Sequence, residues 1–119
     1  MRSSLVAPIL VAALALAAAK DDPLAGRVAG APIQCIDPGL ADGPQITDAG
    51  QIIYRRTEKR LLISTPIDPC RALRPQAALI VQRFGSQLCR GDRFQVLDAP
   101  SRIPSASCRF GAFVPWDKP

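Results

Sequence analysis

Four cysteines constrain this chain more than any other feature: Cys35, Cys70, Cys89 and Cys108. They follow an N-terminal stretch with the marks of an export signal. An even cysteine count in a small exported chain reads as a disulfide framework. Bridges matter at this size, because a small domain buries a smaller share of its surface than a large one. The rival reading is a four-thiolate metal site. Such sites pair their ligands at C-x2-C or similar spacing, whereas the separations here are 35, 19 and 19 residues. A redox-active C-x-x-C is absent. Three connectivities are open. Cys35–Cys70 with Cys89–Cys108 is the favoured pairing, because each bridge then staples a local unit, and loop closure gives roughly 3 to 4 kcal/mol for each.

The export reading rests on residues 1–19. Arg2 supplies a positive start, Leu5 to Leu16 an apolar run, and Ala17-Ala18-Ala19 small residues before the charged Lys20-Asp21-Asp22. That order describes a Sec-type signal peptide. The expected cut follows Ala19, with Ala17 as the next choice, and the expected location is periplasmic or secreted. An uncleaved anchor is the alternative, but a spanning helix needs about 20 apolar residues and this run is shorter and rich in Ala. The mature chain then carries no transmembrane span. The expected organisation is a signal at 1–19, an irregular Pro/Gly-rich leader at 20–45 and a small β domain at 46–119. Cleavage removes Arg2 alone among the charged residues, so the net charge of +5 falls to +4. A mild positive charge attracts anionic partners weakly and also serves solubility.

Two missing residue types narrow the chemistry. The chain has no His, which removes a Ser-His-Asp triad, a Cys-His pair and a His-ligated zinc. It also lacks Asn, and with it any N-glycosylation sequon. No catalytic constellation, cofactor site or metal site emerges, and an enzyme is not expected.

Along the leader, Pro23, Pro32, Pro38 and Pro44 break regular elements, and Cys35 is expected to tie the segment to the body. Strand signals follow. Gln51–Arg55 and Arg60–Ser64 are β-branched or aromatic runs, and Thr57, Glu58 and Lys59 between them read as a hairpin loop. Pro66 and Pro69 make a connector to Cys70, and Arg71 to Arg74 has room for one helical turn. Ala78–Phe84 reads as a third strand, the most buried, with a helix as rival because a short apolar run leaves the period ambiguous. Arg93–Asp98 and Ser107–Phe110 complete the set, and Phe113, Pro115 and Trp116 are expected to pack. The fold class is mainly β: a disulfide-stapled single-domain β-roll or barrel of about five short strands, with a small α+β fold as alternative.

The segments Asp22–Arg27, Cys35-Ile36, Ile52-Ile53-Tyr54, Cys70, Leu88-Cys89-Arg90-Gly91-Asp92 and Cys108–Phe113 together resemble a family of small secreted or periplasmic Gram-negative bacterial proteins that carry a domain of unknown function. The resemblance spans nearly the whole mature chain. It implies an envelope location and no assigned activity, and it carries no catalytic residues.

Arg55, Arg56, Lys59 and Arg60 form the densest basic cluster and, on the hairpin reading, crowd its tip. They are the candidate anion-binding residues, suited to phosphates of an acidic envelope polymer. The bland alternative is a solvated turn whose charges discourage strand pairing. One Trp, one Tyr and four Phe leave few platforms for stacking bases, so no nucleic-acid partner is expected. Arg90-Gly91-Asp92 spells an adhesion tripeptide, but a Gly-Asp turn into the next strand is the plainer reading. Asp37, Asp42, Asp48, Asp68, Asp92, Asp98 and Asp117 are scattered, mostly beside Gly or Pro where Asp stabilises turns. Three functions follow in order: a non-catalytic structural or binding protein of the envelope, partnered by an envelope protein or anionic polymer; a secreted inhibitor of a hydrolase; and a small carboxylate-dependent hydrolase.

Overall fold

The computed structural model describes residues 22–83, 85–98 and 100–119. The expected signal peptide lies outside them, as does its cleavage point. Ten short strands run in chain order: β1 Val28–Ala29, β2 Cys35–Ile36, β3 Asp42–Ile46, β4 Ile52–Arg55, β5 Arg60–Ser64, β6 Ala78–Val81, β7 Leu88–Cys89, β8 Arg93–Leu97, β9 Cys108–Arg109 and β10 Phe113–Asp117. They form three antiparallel sheets: a five-stranded sheet in the order β1-β10-β5-β4-β3, a pair β2-β7, and a triple β6-β8-β9. The fold is thus mainly β, but no barrel closes among the described residues. A 3-10 turn at Pro38–Leu40, capped by the Asp37 carboxylate on the Gly39 N–H, is the only helical element among the described residues. No helix among them is long and apolar enough to cross a membrane.

The central hairpin follows directly from its sequence. Alternation on β4 and β5 sends Ile52, Tyr54, Leu62 and Ser64 to one face and Ile53, Leu61 and Ile63 to the other, because side chains alternate along a strand. The first face carries the main core. Ile52, Tyr54, Leu62 and Phe113 pack there against Ile36, Leu88, Phe94, Val96 and Phe110 from the two smaller sheets. A row of rings runs through it. Phe94 and Phe110 lie 4.6 Å apart, Phe110 and Phe113 5.9 Å, and Phe113 and Tyr54 6.3 Å, within the range of favourable ring pairs. The second face holds a smaller cluster, Ile53, Leu61 and Ile63, against which Leu24 and Trp116 pack.

The leader is not irregular. It supplies β1, β2 and most of β3, so it belongs to two sheets. Its prolines fall where pairing tolerates them. Pro44 sits in edge strand β3 at a register shift between Asp42 and Gln45. Pro115 is inside β10, which has neighbours on both sides, yet its missing N–H faces the Ala31-Pro32 step between two bonded partners. Gly30 donates to the Pro115 carbonyl, and Phe113 exchanges two bonds with Ile33.

The disulfides differ from the favoured pairing. Cys35 joins Cys89, and Cys70 joins Cys108, with no free cysteine. The cause is the return of the leader over the body. Cys35 and Cys89 are direct partners across β2 and β7. The backbone bond from Arg90 to Gln34 makes their site a non-hydrogen-bonded pair, where side chains come closest, and their Cα atoms are 4.0 Å apart. Cys70 follows the connector that Ile67 ties to the Arg109 carbonyl, which brings it to Cys108 on β9. Two such bridges are the chemistry of an oxidising, extracytoplasmic setting.

Tyr54 is the one tyrosine in the chain, and burial pushes its phenol from 10.0 up to about 12, partly offset by Arg83. The folded state therefore holds this proton more tightly than the unfolded state. Stability is intact below pH 10 and falls as pH rises through about 12. A spectroscopic titration should show phenolate absorbance only near pH 12, or together with unfolding. Ordinary titration near 10 with the fold intact would contradict the buried placement.

Candidate functional site

The basic cluster divides between the two faces of the hairpin. Arg55 sits on the face of Ile53 and pairs with Asp42 at 3.3 Å, through the irregular pairing that sets Asp42 opposite Arg55. Gly43 is part of that irregularity. Its φ of +128° and the approach of the Ile53 carbonyl, 2.8 Å from where a Cβ would stand, leave space for glycine alone. Arg56, Lys59 and Arg60 remain together. With Thr57, Asp117 and Lys118 they line a shallow groove of about 500 Å³ at the hairpin end.

Pairing of β5 with β10 builds this groove. Arg60 and Asp117 are cross-strand partners, and the guanidinium donates two bonds of 2.8 Å to the carboxylate. That hydrogen bond is the main cause that holds the Asp117 carboxyl below its usual range; the same contact raises Arg60. Asp117 thus stays ionised further into acid than a free aspartate. Any stability the pair gives is present above the ordinary carboxyl range and is lost only as pH falls through the lowered value. Arg56 donates to the Leu40 carbonyl at 3.0 Å. The Lys59 backbone is held too: its carbonyl accepts from Arg27 at 2.8 Å and from the Lys118 N–H at 2.9 Å. This leaves the ammonium groups of Lys59 and Lys118 as the exposed cations of the groove without a protein partner among the described residues. Lys118 and Asp117 were missed in the sequence because only strand pairing brings the C-terminal segment beside the hairpin.

A second cleft, of about 530 Å³, lies on the other face of the large sheet. Ile53 and Leu61 line it together with Arg27, Arg55, Lys118, Asp22 and Asp42. It holds the two carboxylates that a hydrolase would need in one cleft. Both are committed elsewhere: Asp22 accepts from the Leu24 N–H at 2.9 Å, and Asp42 pairs with Arg55. Three more acids among the described residues are similarly occupied. Asp68 pairs with Arg109, Asp98 with Arg74, and Asp92 accepts from the Cys89 N–H at 2.7 Å. The last bond, with Gly91 at φ +92° and its N–H on the Phe110 carbonyl, makes Arg90-Gly91-Asp92 a turn locked into the fold. Among the described residues no group of three His, Cys, Asp or Glu side chains is placed to hold a metal ion.

No protein-family model, no curated protein and no solved structure matches the chain.

Proposed function

We propose that this chain is an exported, non-catalytic binding protein of the cell envelope, and that the groove at the hairpin end takes anionic groups of an envelope polymer or membrane surface. The carrying observation is the composition of that groove: Arg56, Lys59, Arg60 and Lys118 surround the single carboxylate of Asp117. Arg60 neutralises Asp117, so the positive charge of the remaining cations is left for a ligand. Rim cations on an exposed surface act over about a Debye length and contribute roughly 1 kcal/mol each against an anionic surface. The signal-like order of residues 1–19 and the two disulfides support the location. The aromatic residues support the absence of base stacking, since Phe94, Phe110, Phe113 and Tyr54 are spent on the core.

The test is binding to vesicles containing phosphatidylglycerol, compared with neutral phosphatidylcholine vesicles. Binding is expected to the anionic surface alone and to weaken with added salt. Lys59→Ala and Lys118→Ala should each reduce affinity by roughly fivefold, with the thermal midpoint unchanged. Equal binding to both vesicles, or no effect of either substitution, would remove the groove from the function.

A further inference from the structure

The end of the five-stranded sheet carries a row of side chains that passes the basic groove with an apolar residue on each side. Val28 stands opposite Asp117 on β1 and β10, and Asp117 stands opposite Arg60 on β10 and β5. The ladder of β5 and β4, which sets Leu61 opposite Arg55, continues one step to Arg60 and Arg56, where the Arg56 N–H donates to the Arg60 carbonyl at 3.0 Å. Residues directly opposite in an antiparallel pair share a face. Val28, Asp117, Arg60 and Arg56 therefore form one row on one face, about 14 Å across three strand spacings. Beyond Arg56 comes the 3-10 turn of Pro38–Leu40, which the Arg56 guanidinium holds through the Leu40 carbonyl at 3.0 Å. Lys59 and Lys118 lie one position further along the strands, where the Lys118 N–H donates to the Lys59 carbonyl.

Both ends of this row are apolar and open to solvent. Val28 is 67% exposed and Leu40 55%, two of the four large apolar side chains that the described residues leave in water. An isolated exposed valine or leucine needs no explanation. Two that bracket a row of cations form an amphipathic rim. Leu40 also has apolar ground on its inner side: a hollow of about 190 Å³ there is lined by Ile33, Ile36 and Leu62, and it shares Arg56 and Arg60 with the groove. Asp37, which also lines it, has its carboxylate turned to the Gly39 N–H. The turn that presents Leu40 is held at its base, because Asp37 caps it and the Ala41 N–H closes it on the Pro38 carbonyl.

We infer that this end of the sheet docks on an anionic lipid bilayer, with Val28 and Leu40 entering between the lipids on either side of headgroup phosphates held by Arg56, Lys59 and Lys118. The inference rests on the anion-binding reading of the groove and narrows its ligand from any anionic surface to a lipid one. The charges and the apolar ends together carry the choice. Arg60 is spent on Asp117 and Glu58 sits in the hairpin loop, yet Arg56, Lys59 and Lys118 keep the cations in excess. Arg56 spends one bond on the Leu40 carbonyl, and its fork keeps further N–H donors for a phosphate. An acidic polymer would satisfy these cations and leave Val28 and Leu40 in water. A neutral bilayer would cover the two apolar side chains and desolvate the cations without partners. An anionic bilayer offers phosphate and apolar interior within one contact, the combination that interfacial amphipathic segments use.

Binding of the disulfide-bonded protein to two probes tests this: phosphatidylglycerol vesicles, and inorganic polyphosphate, which has the charge without acyl chains. Leu40→Ser and Val28→Ser should each weaken vesicle binding by roughly fivefold, and leave polyphosphate binding and the thermal midpoint unchanged. Lys59→Ala should weaken binding to both probes. Ile103→Ser removes an equally exposed apolar side chain from the loop between β8 and β9, outside the groove lining, and should change neither. Vesicle affinity unchanged in Leu40→Ser and Val28→Ser, with Lys59→Ala still weakening it, would overturn the inference and leave the groove standing. Losses of the same size toward polyphosphate would overturn the bilayer as occupant in favour of a polymer. A loss in Ile103→Ser as large as in Leu40→Ser would overturn the assigned orientation. No binding of the unmodified protein to either probe would remove the groove and this inference together.

Discussion

Replacing Cys35 and Cys89 together by Ala is expected to lower stability by about 4 kcal/mol. Loop-closure entropy predicts about that for the 54-residue separation, and the 38-residue separation of Cys70 and Cys108 gives nearly the same. For a domain whose net stability is on the order of 5 to 15 kcal/mol this is a large fraction. The two losses should differ in where they are felt. β2 and β7 share only two residue pairs, Cys35 with Cys89 and Ile36 with Leu88. Without the bridge, the amides of Ile36 and Leu88 should exchange with solvent well before those of the central hairpin. Without Cys70–Cys108, the first protection lost should be at the Ile67 amide, whose bond to the Arg109 carbonyl lies beside that bridge. Chemical denaturation followed by hydrogen exchange reads both. Equal exchange throughout the chain in both variants would mean that the bridges act only on the unfolded chain.

Gly111→Ala should be nearly as damaging, for a different reason. A Cβ on Gly111 would run into the Thr65 carbonyl, which is backbone and cannot swing aside. The Ser64 hydroxyl also donates to the Gly111 carbonyl at 2.9 Å, so the two segments are pinned together. Relief would require moving the end of β5 or the Phe110–Phe113 segment, and both phenylalanines are fully buried. Overpacking of a tight core costs roughly 1 to 3 kcal/mol, and a clash between backbones belongs at the top of that range. Gly30→Ala is the control. Its nearest contact is the Pro115 side chain at 3.4 Å, an ordinary van der Waals approach. A denaturation midpoint for Gly111→Ala matching that of Gly30→Ala would contradict the close approach at Thr65.

The parts of the fold that were legible in the sequence are those with several strand-forming residues in a row. Ile52–Arg55 and Arg60–Ser64 flank a polar turn and form the hairpin as read, and Arg93–Leu97 is a strand as read. Ala78–Val81 is a strand too, but it lies at an edge and is the most exposed of the three expected apolar strands. A continuous apolar run looks buried on both sides, whereas here only Leu79 and Val81 face the core. β2 and β7 are too short to leave a period. β3 and β10 contain proline, which argues against a strand unless its missing N–H happens to face a break in the ladder. Neither break is visible without the fold. The site divides the same way. Arg56, Lys59 and Arg60 were found because they are neighbours in the chain. Lys118 and Asp117 come to them only through the pairing of β10 with β5.

The pairing of Cys35 with Cys89 and of Cys70 with Cys108 can be read from one digest. Trypsin cleaves after Arg and places the four cysteines in four separate peptides: 28–55, 61–71, 84–90 and 103–109. Mass analysis of the non-reduced digest should find 28–55 joined to 84–90, and 61–71 joined to 103–109. Finding 28–55 joined to 61–71, or four free thiols, would contradict the return of the N-terminal segment over the body and the sheet arrangement built on it.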